Sequence, residues 1–205
     1  FDTTGVGGST SGVTPNLDAF AEESVVFHDS TAAAPWTLPS HMSVWTARWP
    51  SVHQVTNKLA PLSGGKMVET ALSAGIETYP DLLIRSGRKA AGFTGGAGVQ
   101  NKYGFGRDFD AYLDDVYFGG MDHSIPAALS WLQENRDDPF FLFLHGYDVH
   151  GQYDLPESKR SSISYSGALN GSIEEQAELR EKGLSAITDP GAPAHLKGVL
   201  DDDDA

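Results

Sequence analysis

A chain of 205 residues with 40% apolar side chains can bury a proper core, and it fits one domain or at most two. Its net charge of −14 argues against a nucleic-acid partner, because phosphate backbones call for clustered Lys and Arg, and no apolar run of about eighteen residues is present to cross a membrane. Zero cysteines exclude disulfides and thiolate metal sites and fit either redox compartment, while a small anionic substrate stays compatible with the acidic chain if a bound cation reverses the local field.

The chain opens on Phe1, with no charged n-region or apolar h-region, and its compartment is left unassigned. Phe1 to Gly8 reads as a flexible loop headed by the acidic Asp2. Thr14 and Pro15 then predict a helix start, with Thr14 as cap and Pro15 at the first helical position. Leu17, Phe20 and Ala21 give that helix a face to bury. Val25 to Phe27 reads as a short strand leading into the stretch Ala34 to Arg48.

That stretch organises the rest. Pro39 and Ser40 suit the first turn of a helix, and Leu38, Met42 and Trp45 recur on one face. A helix start presents unpaired N–H groups and a partial positive charge, which suit an anion. Thr37 stands there, where it equally reads as a plain capping hydroxyl.

Trp49 to Gly65 is punctuated by Pro and Gly and reads as loop. Thr78 to Asp81 has the pattern of a capping box opening a helix that stops at Gly87. Lys89 to Thr94 reads as a buried strand ended by Gly95 and Gly96, and Gly104 to Tyr112 as an aromatic loop. Ser124 is placed as the cap of a helix running to Asn135, with Ile125, Ala128, Leu129 and Leu132 at helical spacing. Pro139 to Leu144 is the strongest strand, and its unbroken apolar run suits the centre of a sheet covered on both faces. Strands separated by helices predict an α/β fold with a mostly parallel sheet flanked by helices.

Beyond Pro156 the chain turns polar, with one helix signalled by Ser172 and Glu175 and ended by Gly183. The tail closes on Asp201 to Asp204, a solvated acidic run or, less simply, a calcium site.

Parallel α/β sheets bind ligands beyond the carboxyl ends of their strands. Asp2 in the opening loop, Thr37 after the Val25 segment, and His145, Asp148 and His150 after the Phe140 strand all fall at such places. A carboxylate-held cation would lower the pKa of the Thr37 hydroxyl, and histidines would bind an oxyanion or protonate a leaving group. Each residue alone also has a bland reading, Asp2 as a solvated loop residue and His145 as a hydrogen-bonded strand-end histidine.

Thr14 to Asp18, Ala34 to His41, the pair Pro50 and His53, and Pro139 to Tyr153 together resemble the sulfatase family of the alkaline-phosphatase-like superfamily. The Asp2-Thr3 start and Gly104 to Asp110 are similar to further family motifs, in the same order. The resemblance implies an alkaline-phosphatase-like α/β domain whose N-terminal portion is residues 1–156, with 157–205 as a polar, partly helical segment of the same domain. It implies a divalent metal ion (Ca, Mg, Mn or Zn) with Asp2 and Thr37 as ligands, and Thr37 as nucleophile. His150 would act in catalysis, within about one substrate's width of Thr37, on the order of 10 Å. His41, His53 and His145 would bind a small anionic ester substrate.

The departures are informative. Family members that cleave sulfate esters carry Cys or Ser at the nucleophile position, converted to formylglycine, followed by x-Pro-Ser-Arg. Here the run is Thr37-Leu38-Pro39-Ser40-His41. A threonine oxidised at its carbinol would be a ketone, so the resemblance implies transfer through a threonine oxygen and favours phosphoryl over sulfuryl transfer. The family's later Asp-His or Asp-Asn motif has no match, and neither does the apolar strand before Asp2. The sequence therefore reads as an incomplete domain: a metal-dependent hydrolase or transferase of phosphate or sulfate esters, or a non-catalytic relative that binds an anion or a partner.

Overall fold

The computed structural model describes residues 4–10 and 12–150. Asp2, the polar helix expected after Ser172, the Asp201 to Asp204 tail and the segment 157–205 as a whole lie outside the described residues. The described residues fall into two units, one including Phe1–Thr31 and the other Ala32–His150.

In the first unit, α1 (Pro15–Glu22) starts with Pro at its first turn, as Thr14-Pro15 predicts. Thr14 does not cap it through its side chain. The Thr14 hydroxyl instead accepts from the Gly5 N–H at 3.0 Å and donates to the Asp18 carboxylate at 3.1 Å. Asp18 also accepts from the Val6 N–H at 2.9 Å, so one carboxylate fastens the opening loop to α1. Two expectations fail. Leu17 and Phe20 are exposed although α1 forms, and Val25 to Phe27 forms no strand, because β-branched and aromatic residues make a strand only where another strand pairs with them.

The second unit is a layered α/β body. Its sheet has the order β4 (Ala111–Leu113), β3 (Lys89–Phe93), β5 (Phe140–Leu144), and both pairings are parallel. Alternation along the strands sends side chains to two cores. On one face Phe141, Phe143 and Tyr112 pack with Leu38, Met42 and Trp45 of α2 (Thr37–Thr46) and with Val55, Leu72, Val99, Tyr103 and Phe105. On the other, Ala91, Phe93, Leu113 and Leu142 meet Ala128 and Trp131 of α5 (Met121–Glu134). The strand β5 lies at the edge of the three described strands and β3 takes the middle. Its middle residues pack into the two cores while Phe140 and Leu144 at its ends are exposed, so the apolar run does not mark the central, covered strand of these three.

The β3 backbone passes close under its neighbour. A Cβ on Gly92 would come within 2.4 Å of the ring of Tyr112, its partner in the register. Tyr112 lies over that gap, and its hydroxyl donates to the Val99 carbonyl at 2.6 Å.

The capping box forms as predicted at α4 (Tyr79–Arg85): Thr78 Oγ1 accepts from Asp81 N–H at 3.2 Å, and Asp81 accepts from Thr78 N–H at 2.8 Å. The stretch after Trp49 is not all loop. It holds α3 (Pro50–His53) and the antiparallel hairpin β1 (Leu59–Leu62) and β2 (Lys66–Glu69), turned by Gly64 and Gly65, both in the left-handed region. Inside the expected aromatic loop, β4 forms because Asp110 locks it to β3: Ala90 N–H donates to its carboxylate at 2.8 Å and Asp110 N–H to the Ala90 carbonyl at 2.9 Å. The helix α5 starts at Met121, three residues before the expected cap. Ser124 is buried inside its first turn, with Oγ donating to the His145 carbonyl at 3.2 Å. Ile125 and Leu129 of its expected apolar face are exposed, and Ala128 carries the packing. None of the described helices is long and apolar enough to cross a membrane.

Candidate active site

Thr37 is the first residue of α2. Trp36 is extended before it, and the first helical bond runs from Ser40 N–H to the Trp36 carbonyl at 3.3 Å. The helix thus begins two residues before Pro39, which sits in the turn whose N–H groups have no helical acceptor. Leu38 and Met42 are fully buried, and Trp45 Nε1 donates to the Phe105 carbonyl at 3.0 Å. The packing of this helix fixes where Thr37 stands.

One turn on, His41 Nδ1 donates to the Thr37 carbonyl at 2.9 Å. That bond leaves Nε2 of the neutral ring as the acceptor. The His41 ring stands edge-on to His145, with centroids 5.2 Å apart. Burial holds the His41 pKa below the ordinary histidine value, against the opposing bond to the Thr37 carbonyl. His145 arrives from the end of β5, where its backbone extends the pairing with β3: its N–H donates to the Phe93 carbonyl and its carbonyl accepts from Gly95, at 3.0 and 3.1 Å. Its Nδ1 is buried with no hydrogen-bond partner. Burial, and next the neighbouring His41, push its pKa down to about 4. At neutral pH both rings are uncharged.

Tyr147 continues the series, with its ring 4.7 Å from His145 and 5.3 Å from His150. Its hydroxyl accepts from the Gly98 N–H at 3.1 Å. Gly98 in turn lies against the nucleophile candidate: a Cβ there would come within 3.0 Å of Thr37 Cβ and Cγ2. Thr37, His41, His145 and His150 are therefore strung together within one unit, through Gly98 and Tyr147. Neither linking residue was singled out from the sequence, although Tyr147 lies inside the segment that holds the three polar candidates.

Two candidates are placed differently. His53 is buried, at 2% exposure, on α3. Val55 N–H donates to its Nδ1 at 3.0 Å, so Nε2 carries the proton and donates to Ser43 Oγ at 3.1 Å. Both ring nitrogens are spent, Nε2 on tying α3 to α2 and Nδ1 on the chain that leaves α3. Burial lowers its pKa, opposed by the Pro39 carbonyl. Asp148, between the other strand-end histidines, gives its carboxylate to the start of α5 by accepting from Met121 N–H at 2.8 Å.

A hard cation takes oxygen ligands in numbers. Among the described residues no group of three or more His, Asp or Glu side chains could hold one. With Asp148 engaged at α5 and the other donors imidazoles, the described residues do not by themselves make such a site.

The described body is thus a parallel α/β sheet with Thr37 opening α2 and His41 linking it to the strand-end His145. The family model for Sulfatase matches residues 1–171, and the chain belongs to the sulfatase family. Among solved structures, 14 chains match. One is the phosphonate monoester hydrolase of Agrobacterium radiobacter, 19% identical, with a TM-score of 0.57 over 86% of this chain and 45% of that one. Another was solved in complex with its substrate D-glucosamine-2-N,6-O-disulfate; it is 17% identical, with a TM-score of 0.55 over 92% of this chain and 47% of that one. The fold is thus the alkaline-phosphatase-like one, in part, since the chain spans about half the length of these structures. No curated protein matches.

Proposed function

We propose that this sulfatase-family chain belongs to a metal-dependent hydrolase or transferase of small anionic esters, with Thr37 as nucleophile and phosphate esters favoured over sulfate esters. The observation that supports it most is the placement of Thr37 at the start of α2, with the uncharged His41 and His145 and then His150 in succession beyond it. The names of the two solved relatives, a phosphonate monoester hydrolase and a protein with a sulfated glucosamine as substrate, support the substrate class.

Asp2 and the Thr37 oxygen would contribute to a divalent cation site completed by ligands outside the described residues. When bound, such a cation lowers the pKa of a coordinated hydroxyl and neutralises charge on the ester. The remaining work falls to this chain's own groups. The Thr37 hydroxyl gives up its proton to a neutral imidazole, and its oxygen bonds to phosphorus in line with the departing alcohol. His150 protonates the leaving oxygen as the phosphorus–oxygen bond breaks. Water or an acceptor alcohol then attacks the phosphothreonine and returns the hydroxyl to Thr37. His41 and His145 face the transferred group, and His53 braces α2 through Ser43. A sulfothreonine lacks the escape that a formylglycine hydrate gives, because its carbon bears no second hydroxyl.

The test is a side-by-side assay of full-length, metal-loaded protein on an aryl phosphate diester, monoester and sulfate. Phosphate turnover should exceed sulfate turnover, and Thr37→Ala should remove activity by about two orders of magnitude or more. Faster sulfate turnover, or full activity in Thr37→Ala, overturns the mechanism. No turnover of any ester, with anion binding intact, assigns the protein to the non-catalytic binders.

A further inference from the structure

Past His150 the row of rings continues onto an exposed ledge between β4 and α5. The Phe118 ring lies 4.7 Å from that of His150 and 5.0 Å from that of Tyr147. Tyr117 stands edge-on to Phe118 at 4.7 Å. Both are open to solvent, at 43% and 58% exposure. At the far end Lys58 Nζ donates to the Tyr117 hydroxyl at 3.0 Å and lies 5.6 Å from its ring centroid. Lys58 forms no ion pair among the described residues.

The ledge is held against its own preference. Phe118 has a φ of +60°, in the left-handed region that bulky residues rarely adopt. The surrounding backbone enforces it. Gly119 N–H donates to the Gly95 carbonyl and Tyr147 N–H to the Gly119 carbonyl, both at 3.0 Å, while Tyr117 bridges to Gly96. An ordinary loop would put glycine here or bury the ring. Strain retained to display an aromatic side chain beside His150 is what a ligand contact needs.

We infer that Phe118 and Tyr117, with Lys58 at their far end, form the subsite for the alcohol part of the ester, and that this alcohol carries a ring with a second negative charge. This rests on the reading of Thr37 and His150 as the transfer site. The exposed ring faces offer a stacking surface, and the ammonium pairs with an anionic substituent. Against a net charge of −14, an anionic ring finds a favourable place only beside such a cation.

The probes are methylphosphonate, benzylphosphonate and 4-carboxybenzylphosphonate, titrated by NMR into the metal-loaded full-length protein. The expected order of affinity is carboxybenzyl, then benzyl, then methyl. Phe118→Ala should weaken the two ring probes about five- to tenfold and leave methylphosphonate unchanged. Phe118→Gly, which relieves the strain, should lose the same contacts, and Phe118→Tyr should retain them. Lys58→Met should erase the advantage of the carboxybenzyl probe. Equal binding of the three probes, or wild-type behaviour of Phe118→Gly, overturns the subsite while leaving the transfer reaction standing. Absence of all binding alongside Thr37-dependent hydrolysis overturns the subsite too, and absence of both overturns the two readings together.

Discussion

Two residues set the chemistry of the site by what they do not carry. Gly98 has no Cβ, and any would press on Thr37 while the Gly98 N–H stays tied to the Tyr147 hydroxyl. Gly98→Ala should therefore displace Thr37 and lower its turnover about 10- to 100-fold, as small misplacements of a reacting group do. Tyr147→Phe, which keeps the ring and frees the Gly98 N–H, should cost less; kcat on one aryl phosphate compares them. His145 takes up no second ring proton on acidification until about pH 4. Its folded pKa lies below the unfolded value, so the unfolded chain binds the extra proton first. Stability is then complete above the unfolded pKa near 6.5 and falls as the pH drops toward the folded value. His145→Gln should flatten the pH dependence of the melting temperature between about pH 6.5 and 4. A wild-type curve matched by the variant would refute the shift.

At the scale of elements, polar side chains at helix ends decide where segments start. The Asp148 carboxylate at Met121 fixes α5 to the end of β5, immediately beside the site. Asp148→Ala should cost about 1 kcal/mol in chemical denaturation, and Asp148→Asn about half of that, because the amide oxygen still accepts. A loss confined to activity, with stability untouched, would instead give Asp148 a part in the reaction. At α4, burial pushes the Asp81 carboxyl up, but hydrogen bonds from Arg107 and Thr78 outweigh it and hold the pKa below the usual carboxylate range. The stability this gives is present above the unfolded pKa near 3.9 and is lost as the pH falls through the lower folded value.

Across the whole molecule, periodic apolar patterns and capping residues were the legible part. Leu38, Met42 and Trp45 mark the buried face of α2 because helical spacing is itself local, although what covers that face is not, and Thr78 with Asp81 marks the start of α4 because the two partners lie three residues apart. Contacts distant in sequence were not legible. The strand β4 depends on Asp110 reaching Ala90, and α5 starts early because Asp148 caps it. Thr37, His41, His145 and His150 were legible as candidates, whereas the two residues that join them, Gly98 and Tyr147, are common types with no local signal. His53 could not be told from a site histidine, since only its bonds to Val55 and Ser43 reveal that the ring is used up. Leu38→Ala tests the division between core and chemistry. It should cost about 2 to 5 kcal/mol in thermal or chemical unfolding, while Thr37→Ala next to it should leave unfolding nearly unchanged.

Trp45 turns this packing into an optical signal. Its indole is 5% exposed, with Phe143 at 4.5 Å and Phe105 at 5.3 Å, on the helix that begins at Thr37. Trp49, four residues on, is 68% exposed. Iodide in solution should quench the emission of Trp49 and spare that of Trp45. In a Trp49→Phe background, the remaining blue-shifted emission would come largely from shielded indoles, among them Trp45 on α2 and the partly buried Trp36 just before Thr37. Its wavelength could then be followed during titration with a ligand, giving a dye-free view of whether the Thr37 helix moves when an ester arrives.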